Sequence, residues 1–508
     1  MLLTNDNIQD IPVVVVGAGP AGLAAAIELA RHGLPILLVE RRTVLSSHPR
    51  ATLLSLRSME LMRTWGLEGE VRERSADVDW RMLETNTLAN AGGGSAIAVG
   101  LPSREQSRVL SPTEAACVAQ DDVEPLLLAR LREHPHARVE LGTELTAAFA
   151  VPDGARVILR DVRTGAVRAV QARYVVAADG GRSAVRSVLG IPLHGAEAVL
   201  EGSTTLLHAP LWDVVGAHRH LLYSVTHPRC PSIFLPTGPS DRWLFALVEE
   251  TAEAPSDRRV AEAVRAAAGV SDLPVRVERT RWWSSSAQLA ERFSSGPFFL
   301  AGDAAHRVTP RGGMGLNLAL HDGFDLGWKI AWVLRDWATP AVLDTYEAER
   351  RPVAEHIAAR SADPAGSRRA PEQEVHTDLG GRIPHVWTDG RSTLDLLGSG
   401  LTLFAGRDGA AWDAAAAALT TTLPVDVRLV DRITAHAVGA TGRSALLVRP
   451  DGKPASVLPA GAEPLPALRA AVAAASADRV PHPMDHRPRR QPYSVSADGS
   501  RHDSAPSS

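Results

Sequence analysis

Residues 11–22 read IPVVVVGAGPAG, and this stretch decides the fold. The apolar run Ile11–Val16 suits a buried parallel strand, and Gly-Ala-Gly punctuates it at once. A helix is expected over Pro20–Arg31, with Pro20 in the first turn, where a missing N–H costs little, and Gly33 as the stop. A second strand, Pro35–Val39, then delivers Glu40, with Arg41 beside it. In such a unit Gly17 permits the tight turn, Gly19 lets the backbone approach phosphate oxygens, and Gly22 lets the helix pack closely on the strand. Pro20 and Ala21 open the helix, whose free N–H groups and partial positive charge favour an anion. Glu40 is placed to accept hydrogen bonds from a ribose. The glycines make room for a pyrophosphate; the motif leaves NAD, NADP and FAD open.

At 508 residues the chain is long enough for two or three domains. Its formal charge of -4 and the absence of any basic block beyond short clusters such as Arg487, Arg489 and Arg490 argue against nucleic acid as a partner. The apolar start is too short to span a bilayer and belongs to the glycine motif, so neither signal peptide nor membrane anchor is expected. Cys117 and Cys230 allow at most one disulfide and no CxxC motif, which makes a reducing cytoplasm the simplest setting. No metal is expected. Lys329 and Lys453 are the only lysines among 54 Lys and Arg residues, which reads as a high-GC coding bias.

Leu53, Leu56, Met59, Leu61, Met62 and Trp65 fit an amphipathic helix ending at Gly66, and Asp121–His134 repeats a helical pattern behind Gln120. Residues 155–178 give strand-like runs, and 190–285 are again strand-rich, as a separate sheet. GPFFLAGD then returns the chain to the nucleotide domain, followed by a long helix in which Trp328 and Trp332 are read as core. Residues 361–382, rich in Gly, Pro and Ser, are expected as a linker. A third globular segment follows, and 477–508 is expected to be disordered.

Three further motifs carry a family resemblance. DGGRSAVRSVLGI follows the strand YVVAA and places Asp179 and Gly180 at its end. GPFFLAGDAAHRVTP places Gly302 and Asp303 at another strand end, and RGGMGLN opens a helix. With GAGPAG, Glu40 and the helical pair GWKIAWVL and LDTYEAERRPVA, the chain resembles the class A FAD-dependent aromatic monooxygenases of the para-hydroxybenzoate hydroxylase fold, across residues 11–355. The ending, with RIPHVWTDGRSTLDLLGSGLTLFAG and ALLVRPDG, resembles the thioredoxin-like domain of the larger members that tailor aromatic polyketides. Lacking cysteines, that domain is expected to be structural.

The resemblance implies an α/β fold: a Rossmann-like FAD-binding domain of the glutathione-reductase type, an inserted β-sheet substrate domain and a C-terminal thioredoxin-like α/β domain. FAD-binding segments are expected at 1–78, 106–188 and 286–360, substrate-domain segments at 79–105 and 189–285, and the C-terminal domain at 383–476. Noncovalent FAD is the implied cofactor, with NADPH or NADH as a transient reductant, because no second GxGxxG appears. Arg50 and Gln120 are placed near the flavin and its ribityl chain, and Asp303 on the ribityl chain or pyrophosphate. An aspartate at a strand end could equally cap a helix; Gly302 and the glycine-rich helix start favour the cofactor role. Asp179 and Gly180 carry a structural role in FAD binding.

Pro310–Asn317 bears most on chemistry. Gly312, Gly313 and Gly315 let backbone lie against a flat ring, and a helix starting near Gly315 aims its N-terminus at the anionic N1 of reduced flavin, favouring a flavin C4a-hydroperoxide. Members of the family often carry Gln where Met314 stands and Met where Leu316 stands; these departures leave the backbone role intact. Of the tyrosines only Tyr223 falls in the expected substrate sheet, as a candidate base, with His227 nearby. The expected reaction is hydroxylation by O2 of a bulky aromatic, polyketide-type substrate, by a monomer or homodimer. Baeyer-Villiger oxidation, epoxidation and antibiotic inactivation stay open on the same fold, as does a non-oxygenating reductase or sensor.

Overall fold

The computed structural model describes residues 9–247 and 254–477; the expected tail lies outside the described residues beyond 477. Its architecture is α/β, with a Rossmann-like sheet, an inserted second sheet and a C-terminal α/β unit. At the centre of the first sheet Val13–Val16 pair in parallel with Ile36–Val39 on one side and Tyr174–Ala177 on the other. Val13–Val16 are buried on both sides of the strand, which is why the run is continuous valine rather than alternating. Phe298–Leu300 and Ala137–Leu141 extend the parallel core.

The helix Pro20–Arg31 forms where expected and packs on the long helix Gly315–Leu334. Two glycines permit this approach: a Cβ at Gly323 would lie 2.2 Å from the Ala21 carbonyl oxygen, and one at Gly327 2.8 Å from Glu28 Cβ. Trp328 and Trp332 are buried on the same helix. The helix expected over Leu53–Trp65 starts later, at Leu56, because Leu53–Leu54 pair as a short strand with Ala116–Cys117 and Ser55 caps the helix through Ser58 N–H.

The second sheet has eight strands, including Leu193–His208, His220–Val225, Ser232–Pro236, Arg242–Leu247 and Arg276–Ala290. Its register sorts alternate residues onto two faces. Tyr223, Phe234, Phe245 and Trp243 point into a core closed by the helix Asp257–Ala268. The opposite face carries Leu222, Ile233, Leu235 and Ala246, all half-buried. It looks toward the nucleotide domain, since Arg242 on this face pairs with Asp121 at 2.5 Å, at the start of the helix Gln120–Arg132.

The expected linker is not featureless. The helix Asp344–Ala362 runs into it, and Pro371–Leu379 forms a further helix, with Pro371 in its first turn and left-handed Gly380 ending it. Proline and glycine here punctuate a helix rather than prevent one. Arg369 then bridges to the strand edge at Val99, and Arg368 pairs with Glu84, so the segment straps the second sheet.

Beyond it lies a four-stranded sheet flanked by the helices Ala410–Ala417, Arg432–Val438 and Pro464–Ala477. Its junction with the nucleotide domain holds buried charge. Lys329 Nζ lies 2.7 Å from Asp325, Arg449 forks onto Glu349 with two bonds of 2.7 Å, and Lys453 reaches Glu349 at 2.6 Å. Asp325, Glu349 and Asp451 converge within 4.8 Å, and these three cations occupy their company in place of a metal. Both lysines of the chain are therefore in one network. A second link joins Arg382 to Glu60 through two side-chain bonds, one of 2.9 Å.

Asp378 is half-buried, with its Oδ1 out of solvent and unpartnered, while Oδ2 accepts from Arg57 N–H at 3.2 Å. Burial pushes its carboxyl up to about 6. A raised acid contributes favourably below its unfolded value and loses that contribution as pH rises through the folded value. Asp378→Asn is therefore expected to stabilise the protein by about 2–3 kcal/mol at pH 7.5. The gain should vanish below pH 4, measured by urea unfolding at both values.

Candidate functional site

Four glycine-bearing turns converge where the two packed helices begin. Gly17, at φ +105°, sits so close to the Ala178–Asp179 backbone that a Cβ would lie 2.3 Å from Ala178 O; a Cβ on Gly22 would lie 2.0 Å from Gly17 O. Gly302 is wedged between the helix starts, 3.0 Å from Ala21 Cβ and 3.2 Å from Ala319 Cβ by the same measure. Gly19 alone of the motif glycines faces open space, with nothing within 4 Å. Glu40 swings back over this loop, accepting from Ala18 N–H at 3.0 Å through one oxygen and from Arg42 N–H at 3.0 Å through the other.

Around this opening the expected cofactor residues gather unequally. Arg50 and Asp303 face each other at 3.8 Å, both partly exposed. Gln120 is buried, and its amide donates to Glu124 at 2.7 Å. Burial raises the Glu124 carboxyl, with Arg50 and Arg42 opposing. Asp179 accepts from Val185 N–H at 3.1 Å, in the first turn of the helix that Ser183 caps, yet its Oδ1 is buried without a partner. Burial raises that carboxyl too. Gly180 takes φ +84° beside it. Arg41 is exposed.

The turn Pro310–Met314 leads into the helix Gly315–Leu334, with Gly312 and Gly313 at φ +81° and +65°. No side chain caps this helix, which leaves its first N–H groups free, as an anion-facing terminus needs. Three expectations change here. Asn317 is fully buried, and its side chain is used up on Leu53 O, Gly313 O and Ser55 N–H, so it braces the turn. A Cβ on Gly315 would meet Val308 Cγ2 at 3.2 Å, so tight packing is a reason for glycine at that position. Met314 and Leu316 are both buried.

Tyr223 is a plain correction. It lies on the core face of the second sheet, fully buried, with its hydroxyl donating to His218 O and accepting from His220 N–H, both at 3.0 Å. Burial pushes the phenol up, away from proton exchange at neutral pH. Its strand position was legible, but the face was not: alternation alone does not say which side is the cleft. His227 only accepts from Arg229 N–H in a turn.

Sequence reading passed over Asp322. It is fully buried and anchors Gly302 N–H at 3.1 Å, His306 at 2.6 Å and Arg350 at 2.7 Å, thereby fixing the Gly302–Asp303 turn. Burial would raise this carboxyl, but His306 and Arg350 outweigh it and hold it at about 2. His306 Nδ1 is buried without a partner.

Both cysteines are buried and free. Burial pushes the Cys117 thiol up to about 12, so no thiolate exists at neutral pH. The Cys117→Ser, Cys230→Ser double variant is expected to retain at least half of the wild-type rate of nicotinamide-driven oxygen uptake. Loss of turnover in a folded, yellow variant would implicate a thiol.

The open approach at Gly19, the uncapped helix and the unpartnered Asp179 oxygen fit an FAD. Comparison with known proteins agrees. A family profile described as an FAD binding domain matches residues 10–361. A second, described as the C-terminal part of an aromatic-ring hydroxylase, matches 376–478. The tetracenomycin A2 monooxygenase-dioxygenase of Streptomyces glaucescens is 34% identical, over 88% of this chain and 93% of its own. The crystal structure of aklavinone-11 hydroxylase with FAD and aklavinone superposes with a TM-score of 0.81 at 31% identity, over 92% of this chain and 99% of that one. The flavin-dependent monooxygenase PieE, with FAD and substrate, gives 0.81 at 27% identity, over 91% and 99%.

Proposed function

Because this chain belongs to the FAD-dependent aromatic-ring hydroxylases, we propose that it hydroxylates a flat polycyclic phenol of the polyketide type, consuming O2 and NADPH or NADH. The observation that carries the substrate class is the half-buried apolar face of Leu222, Ile233, Leu235 and Ala246, on the side of the sheet where Arg242 meets Asp121 of the nucleotide domain. Such a face suits a fused ring system and excludes water from it. The named relatives, acting on tetracenomycin A2 and aklavinone, support this class.

Bound FAD supplies acceptance of reducing equivalents and activation of oxygen. The chain's own residues bind and orient. Gly17–Gly22 would cradle the pyrophosphate, with Gly19 giving closest approach and Glu40 accepting from ribose. Asp179, Gly180, Arg50, Gln120, Gly302 and Asp303 would hold the middle of the cofactor. Backbone from Pro310 to Asn317, above all Gly313 and Gly315, would present N–H groups and the helix dipole to the ring and stabilise negative charge there. Among the described residues Tyr174, Tyr223 and Tyr346 are all buried in the cores, so none of them serves as base, and a substrate phenol acidified by its own conjugated ring system takes that part.

The expected segments 1–78, 106–188 and 286–360 form the FAD-binding unit in this reading, and 79–105 with 189–285 the substrate unit. No described helix is long and apolar enough to cross a membrane. Two free, buried thiols suit a reducing cytoplasm, and the assembly is read as monomer or homodimer. Turnover of aklavinone and simpler polycyclic phenols under 18O2 tests the proposal. One labelled oxygen atom per product and one nicotinamide oxidised are expected; unlabelled product, or product lacking added oxygen, overturns it.

A further inference from the structure

The strand Arg276–Ala290 presents Arg279, Arg281 and Trp283 on one face, because their partners Leu206, Thr204 and Gly202 alternate with those of the core face. That face is the cleft side, shared with Ala246 and Arg242. Successive members of the row stand about 7 Å apart along the strand. Arg279 and Arg281 are exposed, and among the described residues neither has an ion pair or side-chain hydrogen bond. Their basic neighbour Arg242 is occupied by Asp121 at 2.5 Å. Trp283 is half-buried and fixed by its indole N–H on Thr204 Oγ1 at 2.7 Å.

His48 completes the picture from the nucleotide domain. It is buried, two residues before Arg50, and its Nδ1 has no partner. Burial and then the charges of Arg281 and Arg279 lower it to about 4, so it is neutral and can accept or donate a hydrogen bond without adding charge. Two uncompensated guanidinium groups followed by a fixed aromatic ring match a molecule with phosphates at one end of a step and a flat ring at the next. The chain has no second glycine motif to hold a dinucleotide.

We propose that Arg279, Arg281 and Trp283, with His48 at their flank, are the docking row for the nicotinamide reductant, the guanidinium groups taking its phosphates and the indole one of its rings. The proposal rests on the reading that a nicotinamide nucleotide reduces this flavoprotein.

The test is anaerobic reduction of purified holoenzyme in separate titrations with NADPH and NADH, with aklavinone binding followed in parallel by flavin fluorescence. In Arg279→Gln/Arg281→Gln the nucleotide concentration for half-maximal reduction is expected to rise at least tenfold. Its dependence on ionic strength should flatten, and aklavinone affinity should stay within twofold. Arg279→Lys/Arg281→Lys keeps the charge and is expected to recover most of the loss. Trp283→Leu should raise half-saturation severalfold with the salt dependence intact. FAD content and reduction by dithionite establish that each variant is folded and loaded. Unchanged half-saturation in the loaded double variant overturns the docking row. So does an equal loss of aklavinone affinity, which would assign the arginines to an anionic substrate. Wild-type holoenzyme reduced by dithionite but by neither nucleotide overturns the functional reading, and the docking row with it.

Discussion

Gly19→Val yields folded protein nearly free of flavin, whereas Gly22→Val yields little folded protein: this is the contrast expected from two glycines of one loop. A side chain on Gly19 meets nothing of the protein and occupies the space through which phosphate oxygens approach. Loss of at least a hundredfold in FAD affinity, about 3 kcal/mol, is expected with the melting temperature of the apoprotein unchanged. A side chain on Gly22 would instead sit 2.0 Å from the Gly17 carbonyl oxygen, in the contact between first strand and first helix. Overpacking of that backbone should cost about 3 kcal/mol or more. Flavin-to-protein ratio after gel filtration and thermal unfolding by circular dichroism separate the two effects. Stoichiometric FAD in Gly19→Val would remove the loop from cofactor binding.

Lys329→Met is expected to destabilise the protein by about 3–5 kcal/mol at pH 7, because it strands carboxylates that are already out of water. Lys329 is fully buried, 2.7 Å from Asp325 and 3.7 Å from Glu349. Burial pushes Asp325 up, and Lys329 is the chief opposing influence. Burial would also push Glu349 up, but Lys329 and Arg449 outweigh it and hold it well below its usual range. With the ammonium gone, Asp325 can relieve its isolation only by taking a proton. The deficit against wild type should therefore narrow as pH falls toward 4, read by urea unfolding at pH 7 and pH 4.5. Lys329→Arg should be intermediate, since a planar guanidinium needs more room than a compact ammonium. A deficit under 1 kcal/mol at pH 7 would mean that the network contributes nothing net.

The same lysine shows where sequence reading stops. A chain that uses arginine almost everywhere makes two lysines look like residue of codon usage, yet both lie against Glu349, brought together from positions 329 and 453. Long-range charge pairing has no local signature. The glycine turn, its helix and Glu40 were legible because strand, turn and helix chemistry follow one another within the span of a single βαβ unit. Asp303 and Arg50 were legible only through resemblance, and their approach to 3.8 Å needed coordinates. Tyr223 misled because a strand announces alternation but not which side faces solvent, cleft or core. The segment at 361–382 misled because glycine and proline mark helix ends as readily as loops.

The two-faced second sheet carries a lesson for engineering. Mutational libraries aimed at a new substrate need not randomise whole strands: alternate positions such as 222, 224, 233, 235 and 246 can be diversified together, while their immediate neighbours hold the scaffold. A design cycle that respects this period of two halves the number of codons to vary. It also spares the aromatic residues whose loss would be scored, mistakenly, as loss of activity.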